Sequence, residues 1–171
     1  SLAFAAPKNP KAPLTLAVQS DKSRVDFIGS KAADFHTGTF TVKSGSVQVD
    51  GGKLVGGSFV IDLANLKVTD AAGERLAGHL KSADFFDVAK FGEATYTISS
   101  VDYSSATACT INGTLNIKGV GVPVSFASNI RSASEKGLFG QAYFSLDRTL
   151  LGIAYAGPSK DVQIAVHLFA K

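Results

Sequence analysis

The chain has 171 residues, with 17 Lys and Arg against 14 Asp and Glu for a net charge of +3. That length suits one domain with a substantial core, and the scattered basic residues, with no run of three, remove the footprint of a nucleic-acid binder. Hydrophobic residues make up 45% and charged residues only 18%, below the ~25% of ordinary soluble domains, so apolar side chains must be enclosed rather than displayed.

Residues 1–13 read as a flexible leader, with three Pro and two Lys between residues 5 and 13. Leu2-Ala-Phe-Ala-Ala-Pro7 has the small-residue character of the end of a secretory signal, and the chain contains no Met. The expectation is a processed protein, periplasmic or secreted. No stretch approaches the ~18 continuous apolar residues of a membrane span.

From Leu14 to Lys171 the chain is expected to form one domain built from period-two runs. Leu14, Leu16 and Val18 alternate with polar or small neighbours, as do Val25, Phe27 and Gly29. The pattern continues through Gly38–Lys43, Gly45–Val49 and Gly57–Leu63, with a hairpin signal at Asp50-Gly51-Gly52. A different texture follows. Gly78–Phe91 packs three Phe, one His, two Asp and two Lys into fourteen residues. Asp70 is a candidate helix N-cap, and Leu76, Leu80 and Ala83 then form one apolar helical face. That period breaks after Ser82. Adjacent Phe85 and Phe86 must point different ways, and Asp84 and Asp87 suit turns, so a short helix and an aromatic turn are predicted. Alternation resumes at Ala94–Ile98, Cys109–Ile117, Val122–Phe126, Gln141–Leu146 and Val162–Leu168.

About nine strand candidates with mostly short links imply an all-β class, and an antiparallel barrel of about eight strands buries every edge. Gly38, Gly45, Gly57 and Gly113 each precede a Ser or Thr and an apolar residue, and glycine at a strand start permits the bends and close approach of a curved sheet. Alternation places Val25, Phe27, Phe40, Val42, Phe59, Ile61, Leu63, Tyr96, Ile98, Ile111, Leu115, Ile117, Phe126, Phe144, Leu146, Ile164 and Val166 inside. An interior of that size is either filled by such side chains or holds one small ligand. Periodicity does not choose between them.

Signals for catalysis are sparse. His36, His79 and His167 are the histidines, and no pair has metal-ligand spacing. Alternation turns His167 away from the interior. Cys109 stands alone in a strand, where a buried small hydrophobe is the simplest reading, and no Gly-x-Ser-x-Gly elbow is present. No metal or catalytic residue is assigned, and a non-enzymatic protein is expected. Asn112-Gly-Thr114 reads as turn chemistry at a strand start rather than a glycosylation acceptor.

The run His79-Leu-Lys-Ser-Ala-Asp-Phe-Phe-Asp-Val-Ala-Lys-Phe91 closely resembles the central signature of the YceI-like family. His36-Thr-Gly-Thr-Phe40, Ile111 to Val120 and Phe144-Ser-Leu-Asp-Arg148 resemble three further family motifs, in the family's order over residues 16–169. Gly92 stands where the family usually has Pro, and the first strand lacks a Trp often found there. The resemblance implies a lipocalin-like barrel with a helical segment beside it, binding a long polyisoprenoid along its axis with no other cofactor. Phe27, Phe40, Phe59, Ile61, Tyr96, Ile98, Leu115, Phe126, Phe144 and Leu146 would then line the ligand site. Phe85, Phe86 and Phe91 would line or cap one end. His79, Lys81 and Arg148 are polar anchor candidates at the mouth, each with a competing structural role in pairing with Asp84, Asp87 or Asp147 or in satisfying backbone carbonyls. The expected partner is an apolar lipid, with transient membrane contact and a monomeric or homodimeric state. Two other readings stay open at this point: a solid barrel acting as an extracellular interaction or stress-response module, and a hydrolase built on His79 and Asp84.

Overall fold

Alternating strands close here into one continuous sheet. The computed structural model describes residues 11–171 and contains β1 (Leu14–Ala17), β2 (Arg24–Lys31), β3 (Asp34–Asp50), β4 (Lys53–Val68), α1 (Gly73–Lys81), β5 (Glu93–Tyr103), β6 (Ala108–Ile117), β7 (Val120–Ser134), β8 (Gly137–Asp147) and β9 (Asp161–Ala170). A 3-10 turn, Arg148–Leu151, opens the connection between β8 and β9. The expected leader lies outside the described residues except for residues 11–13, which form no regular element.

Every strand pairs antiparallel with its neighbours in the order β3-β2-β9-β8-β7-β6-β5-β4, and β4 pairs back to β3. β1 and β2 share one position in the wall. β2 pairs with the first half of β3, Arg24 opposite Thr41, and β1 with the second half, Ala17 opposite Ser46. Both also reach β9, through Val25 opposite Val166 and through the bridge from Val18 to Ala170. The nine strands therefore form an eight-stave barrel.

Two glycines explain how β3 and β4 wrap this barrel without breaking. The expected strands at Gly38–Lys43 and Gly45–Val49 are one 17-residue strand. Gly45 has φ of +152° and Gly57, near it on β4, has φ of +144°. A Cβ at Gly45 would lie 2.5 Å from the Ser58 carbonyl oxygen, and one at Gly57 would lie 2.5 Å from that of Ser46. The glycines thus sit at bends inside strands rather than at strand starts. Gly113 and Gly38 give room to rings as well as to backbone: a Cβ at Gly113 would meet the Thr97 carbonyl oxygen at 2.4 Å and the Tyr96 ring at 2.6 Å, and one at Gly38 the Phe27 ring at 2.2 Å and the Lys67 carbonyl oxygen at 2.4 Å.

The helix begins two residues later than an N-cap at Asp70 would place it and ends before the last residue of the predicted apolar face. Ala72 holds the N-cap position, and Ser82 closes the helix in extended conformation. Ala83 is exposed and Ala77 is the buried alanine of the helix. Asp70 still organises the start, accepting from the backbone N–H of Ala72 at 2.8 Å and of Thr37 at 3.0 Å. In the turn that follows, Asp87 adopts a positive φ of 51°. The Asp84 carboxylate bonds to His79 rather than to the turn backbone.

The two barrel ends differ. Hairpins β3–β4, β5–β6 and β7–β8 close one end over Val47, Val49, Leu54, Cys109, Ile130, Leu138 and Leu168, all buried. This half is solid, and burial pushes the Cys109 thiol pKa up. The other end carries the β2–β3 hairpin, α1 with residues 82–92, the β6–β7 turn and residues 148–160. Gly45→Ala or Gly57→Ala should each destabilise the fold by about 1–3 kcal/mol or more, measured as a lower denaturant midpoint. Gly29→Ala, with nothing within 4 Å of the added methyl, should leave it nearly unchanged.

Candidate functional site

Inward residues on the second half of the barrel enclose empty space. Ile61, Phe86, Phe144, Leu146, Ile164 and Val166 point inward by alternation or packing yet are only half-buried, because they face a cavity rather than other side chains. Its volume is about 230 Å³ and its wall is almost wholly carbon.

Four rings form the floor. Phe59 packs on Tyr96 at 5.6 Å, Tyr96 on Phe126 at 5.5 Å, and Phe126 stacks on Phe144 at 4.5 Å between centroids. The Tyr96 hydroxyl donates to the Val124 carbonyl at 2.8 Å, so it offers its only proton to the wall. Burial pushes its pKa up to about 12, so the phenol stays neutral. Val25, Phe27, Phe40, Ile61, Leu115 and Leu146 add to the sides. The space is a blind pocket, not a channel along the whole axis, since Val42 and Ile111 lie deeper and are packed solid.

The cover comes from two segments. Leu76, Leu80, Phe85 and Phe86 lie over the pocket from α1 and its turn, and Leu151 and Ile153 from the segment after β8. Phe86 meets Phe40 edge-on at 5.5 Å, and Phe85 meets Tyr155 at 4.9 Å, which joins the two segments. Cations bonded to backbone oxygens hold them in place. Arg148, 8% exposed, donates to the carbonyls of Ser159 at 2.9 Å, Ile153 at 2.7 Å and Pro158 at 2.7 Å. Lys118 donates to Phe85 O at 2.6 Å and reaches Gly152 O at 3.4 Å. The lining reaches the surface at Ser30, Lys31, His36, Pro158 and Ser159.

Of the sixteen residues expected to line the ligand site or anchor its mouth, twelve line this pocket and His79, Lys81, Ile98 and Phe91 do not. Ile98 lies beyond Tyr96 toward the solid end and packs into the core. Phe91 lies beside the β6–β7 turn, 3.6 Å from where a Gly119 side chain would begin. His79 sits outside, bonded to Asp84 at 3.1 Å and edge-on to Phe85 and Tyr155. Arg148 lines the pocket, but three of its N–H groups are spent on the cover, and Lys81 is not in the lining. Sequence reading missed Ala94, Val124, Leu151, Ile153 and Val162. Leu151 and Ile153 lie in the connection between β8 and β9, which has no period to read, and Ala94, Val124 and Val162 fell outside the inward set although their strands carry the alternation.

The three histidines are apart. His36 at the pocket rim bonds to Asp70 at 3.1 Å, and His167 faces outward, bonded to Gln141 at 3.0 Å. Among the described residues no cluster of three or more His, Cys, Asp or Glu side chains is arranged to hold a metal ion. Backbone N–H groups of Ala72 and Thr37, then His36, hold the Asp70 carboxyl below its ordinary value of 3.8.

A closed eight-stave barrel with a blind apolar pocket at one end is a lipocalin-like binding architecture. The YceI-like domain model matches residues 16–170, and the chain belongs to that family. A UPF0312 protein of Shewanella baltica is 32% identical over 87 residues, which cover 51% of this chain and only 45% of the relative. One of Pseudomonas fluorescens is 28% identical over 71% of this chain and 66% of its own length. The Burkholderia cenocepacia BcnA structure superposes with TM-score 0.75 at 20% identity, covering 90% of this chain and 99% of the other. A polyisoprenoid binding domain from Saccharophagus degradans, implicated in plant cell wall breakdown, gives 0.73 at 19% identity, over 92% and 98%. These last two likenesses establish the fold alone.

Two outcomes test this geometry. Arg148→Met keeps the apolar stem but leaves three carbonyls without their donor, which should cost about 3 kcal/mol or more and expose residues 152–160 to proteolysis. Asp70→Asn should be less stable than the parent above the ordinary carboxyl value of 3.8. Because the folded pKa is lowered, that advantage is lost as pH falls from there through the folded value. Thermal melts across acidic pH should show the two converging.

Proposed function

We propose that this protein binds and carries a long apolar lipid of the polyisoprenoid type in the hollow half of its barrel, without catalysis, in the periplasm or outside the cell. The observation that carries this reading is the carbon-walled pocket of about 230 Å³. The same fold in a domain described as polyisoprenoid-binding supports it.

The pocket's size constrains how such a ligand would sit. A dry apolar cavity of ~150 Å³ takes one benzene, so this one encloses about ten carbons, or two isoprene units. At ~0.8 kcal/mol per buried carbon this contributes roughly 8 kcal/mol, and association alone costs about 4 kcal/mol or more. Tight retention therefore needs further isoprene units to bury themselves by lifting Phe85, Phe86 and the segment after β8. With Tyr96 committed to Val124, the wall offers nothing to a head group, which would sit at or beyond the rim.

The hollow half favours this reading over a solid interaction module. For a hydrolase, His79 lies outside the pocket, and among the described residues its ring bonds only to Asp84.

Organic extraction of the purified protein, followed by mass spectrometry, should yield a stoichiometric isoprenoid or related lipid. Bare polypeptide, together with no rise in melting temperature on adding farnesol or longer isoprenoid alcohols, would overturn the proposal. Phe144→Ala sharpens the test. A carrier should lose less stability with ligand present than without it, because the ligand fills the space vacated by the ring. An equal loss of ~3–5 kcal/mol in both conditions belongs to a solid core.

A further inference from the structure

We infer that His36 is the head-group contact of this pocket, and that the head it takes carries a hydroxyl, which donates to Nε2 of the ring. The inference rests on the pocket reading above and adds to it a residue and a ligand class, an isoprenoid alcohol. On the inward face of the β2–β3 ladder, Val25 stands opposite Phe40, Phe27 opposite Gly38 and Gly29 opposite His36. At the second pair the Phe27 ring fills the room that a Gly38 side chain would need. At the third the room is open: a Cβ on Gly29 would meet no atom within 4 Å, although Gly29 and His36 both line the pocket. The wall ladder stops at the same level. Pairing of β2 with β9 ends at Ile28 opposite Gln163, and beyond it the bond from the Ser159 N–H to the Ser30 carbonyl, 2.7 Å, ties β2 to the segment before β9. A slot beside His36 thus leads from the carbon-walled space to the surface.

Hydrogen bonding fixes what the ring can do in that slot. The Asp70 carboxylate accepts the N–H groups of Ala72 and Thr37 and stays ionised, so it has no proton to give. The hydrogen between Asp70 Oδ2 and His36 Nδ1, 3.1 Å apart, is therefore the ring's own. In the neutral imidazole Nε2 is then a bare acceptor. Asp34 Oδ2 lies 3.8 Å from it, beyond hydrogen-bond distance and itself an acceptor, and the side chain of His36 is 28% exposed. Two acceptors side by side call for a donor. A hydroxyl supplies one, whereas an ether, ester or quinone oxygen would set lone pair against lone pair, and a phosphate would face the carboxylates of Asp34 and Asp70. The other polar side chains of the lining are mostly committed. Tyr96 and Arg148 donate to backbone carbonyls, Ser159 Oγ accepts from the Asp161 N–H at 3.3 Å, and Ser30 alternates away from the face that carries Gly29. Lys31 at the exposed hairpin is the rival contact, and it would take an acceptor head instead.

Affinities for farnesol and for farnesyl methyl ether, measured on the full chain and taken as a ratio so that the shared tail cancels, test the assignment. The parent should prefer farnesol roughly fivefold. His36→Asn keeps a donor near the position of Nδ1 for Asp70 but has nothing at Nε2, and should lose that preference while its melting temperature holds. His36→Gln places an amide oxygen near the position of Nε2 and should restore part of the preference. Lys31→Gln should leave it intact. In parent protein with isotope-labelled histidine nitrogen, the resonances missing from His36→Asn should show a hydrogen on Nδ1 and none on Nε2 near neutral pH, and the Nε2 signal should move with farnesol but not with the ether. Equal affinity of the parent for the two ligands, a preference that survives in His36→Asn or vanishes in Lys31→Gln, or a ring carrying a hydrogen on Nε2 overturns the inference and leaves the pocket reading standing. Binding of neither ligand overturns both.

Discussion

The bond from the Tyr96 hydroxyl to the Val124 carbonyl divides this barrel in two. A buried phenol needs an acceptor, and the one it takes lies in the wall two strands away, so the ring must lean across the intervening strand. Gly113 lies on that strand, where any side chain would collide with the ring. Once Tyr96 is fixed, Phe59, Phe126 and Phe144 have ring partners, and the floor is set at that level. Below it the side chains mesh, and above it the staves hold the wall apart with no residue long enough to fill the space. The position of one hydroxyl thus separates solid core from pocket.

The cover is built on different physics from the floor. Arg148 and Lys118 hold it by donating to main-chain oxygens, and apolar contacts such as Phe85 with Tyr155 join its parts. Water can replace such donors at modest net cost, about 1 kcal/mol for an ordinary hydrogen bond and more where a charge is involved. Packed rings in the floor have no such substitute. A ligand that needs more room than the closed pocket would therefore displace the cover before the floor. The signature segment from His79 to Phe91 is largely this cover: it supplies Leu80, Phe85 and Phe86 to the pocket while His79 and Asp84 tie its outer side together.

Much of the barrel was legible because inward and outward residues alternate with a period that the amino acids themselves display. Phe40, Phe59, Tyr96, Leu115, Phe126 and Phe144 could be placed inside from that period alone, and the Asp50-Gly51-Gly52 turn marked the β3–β4 hairpin. Where the period fails, so did the reading. Leu151 and Ile153 reach the pocket from an irregular segment whose path is set by the bonds of Arg148. Ala83 matched the helical period, yet the helix stops at Lys81 before that period can act. Ile98 and Phe91 have the right chemistry but the wrong depth, and depth along a barrel axis depends on stagger between strands rather than on any one strand.

By itself the sequence determined an all-β chain with one enclosed apolar face, a helix interrupting the strands, and the motifs that mark its family. Local propensity and side-chain period act within a few residues, so they can be read there. Tertiary structure alone decided that β1 and β2 share a stave, that the interior is solid at one end and hollow at the other, and that Arg148 serves the cover. Each of these depends on which distant backbone groups meet when the sheet closes, and closure is a property of the ring of eight staves rather than of any segment within it.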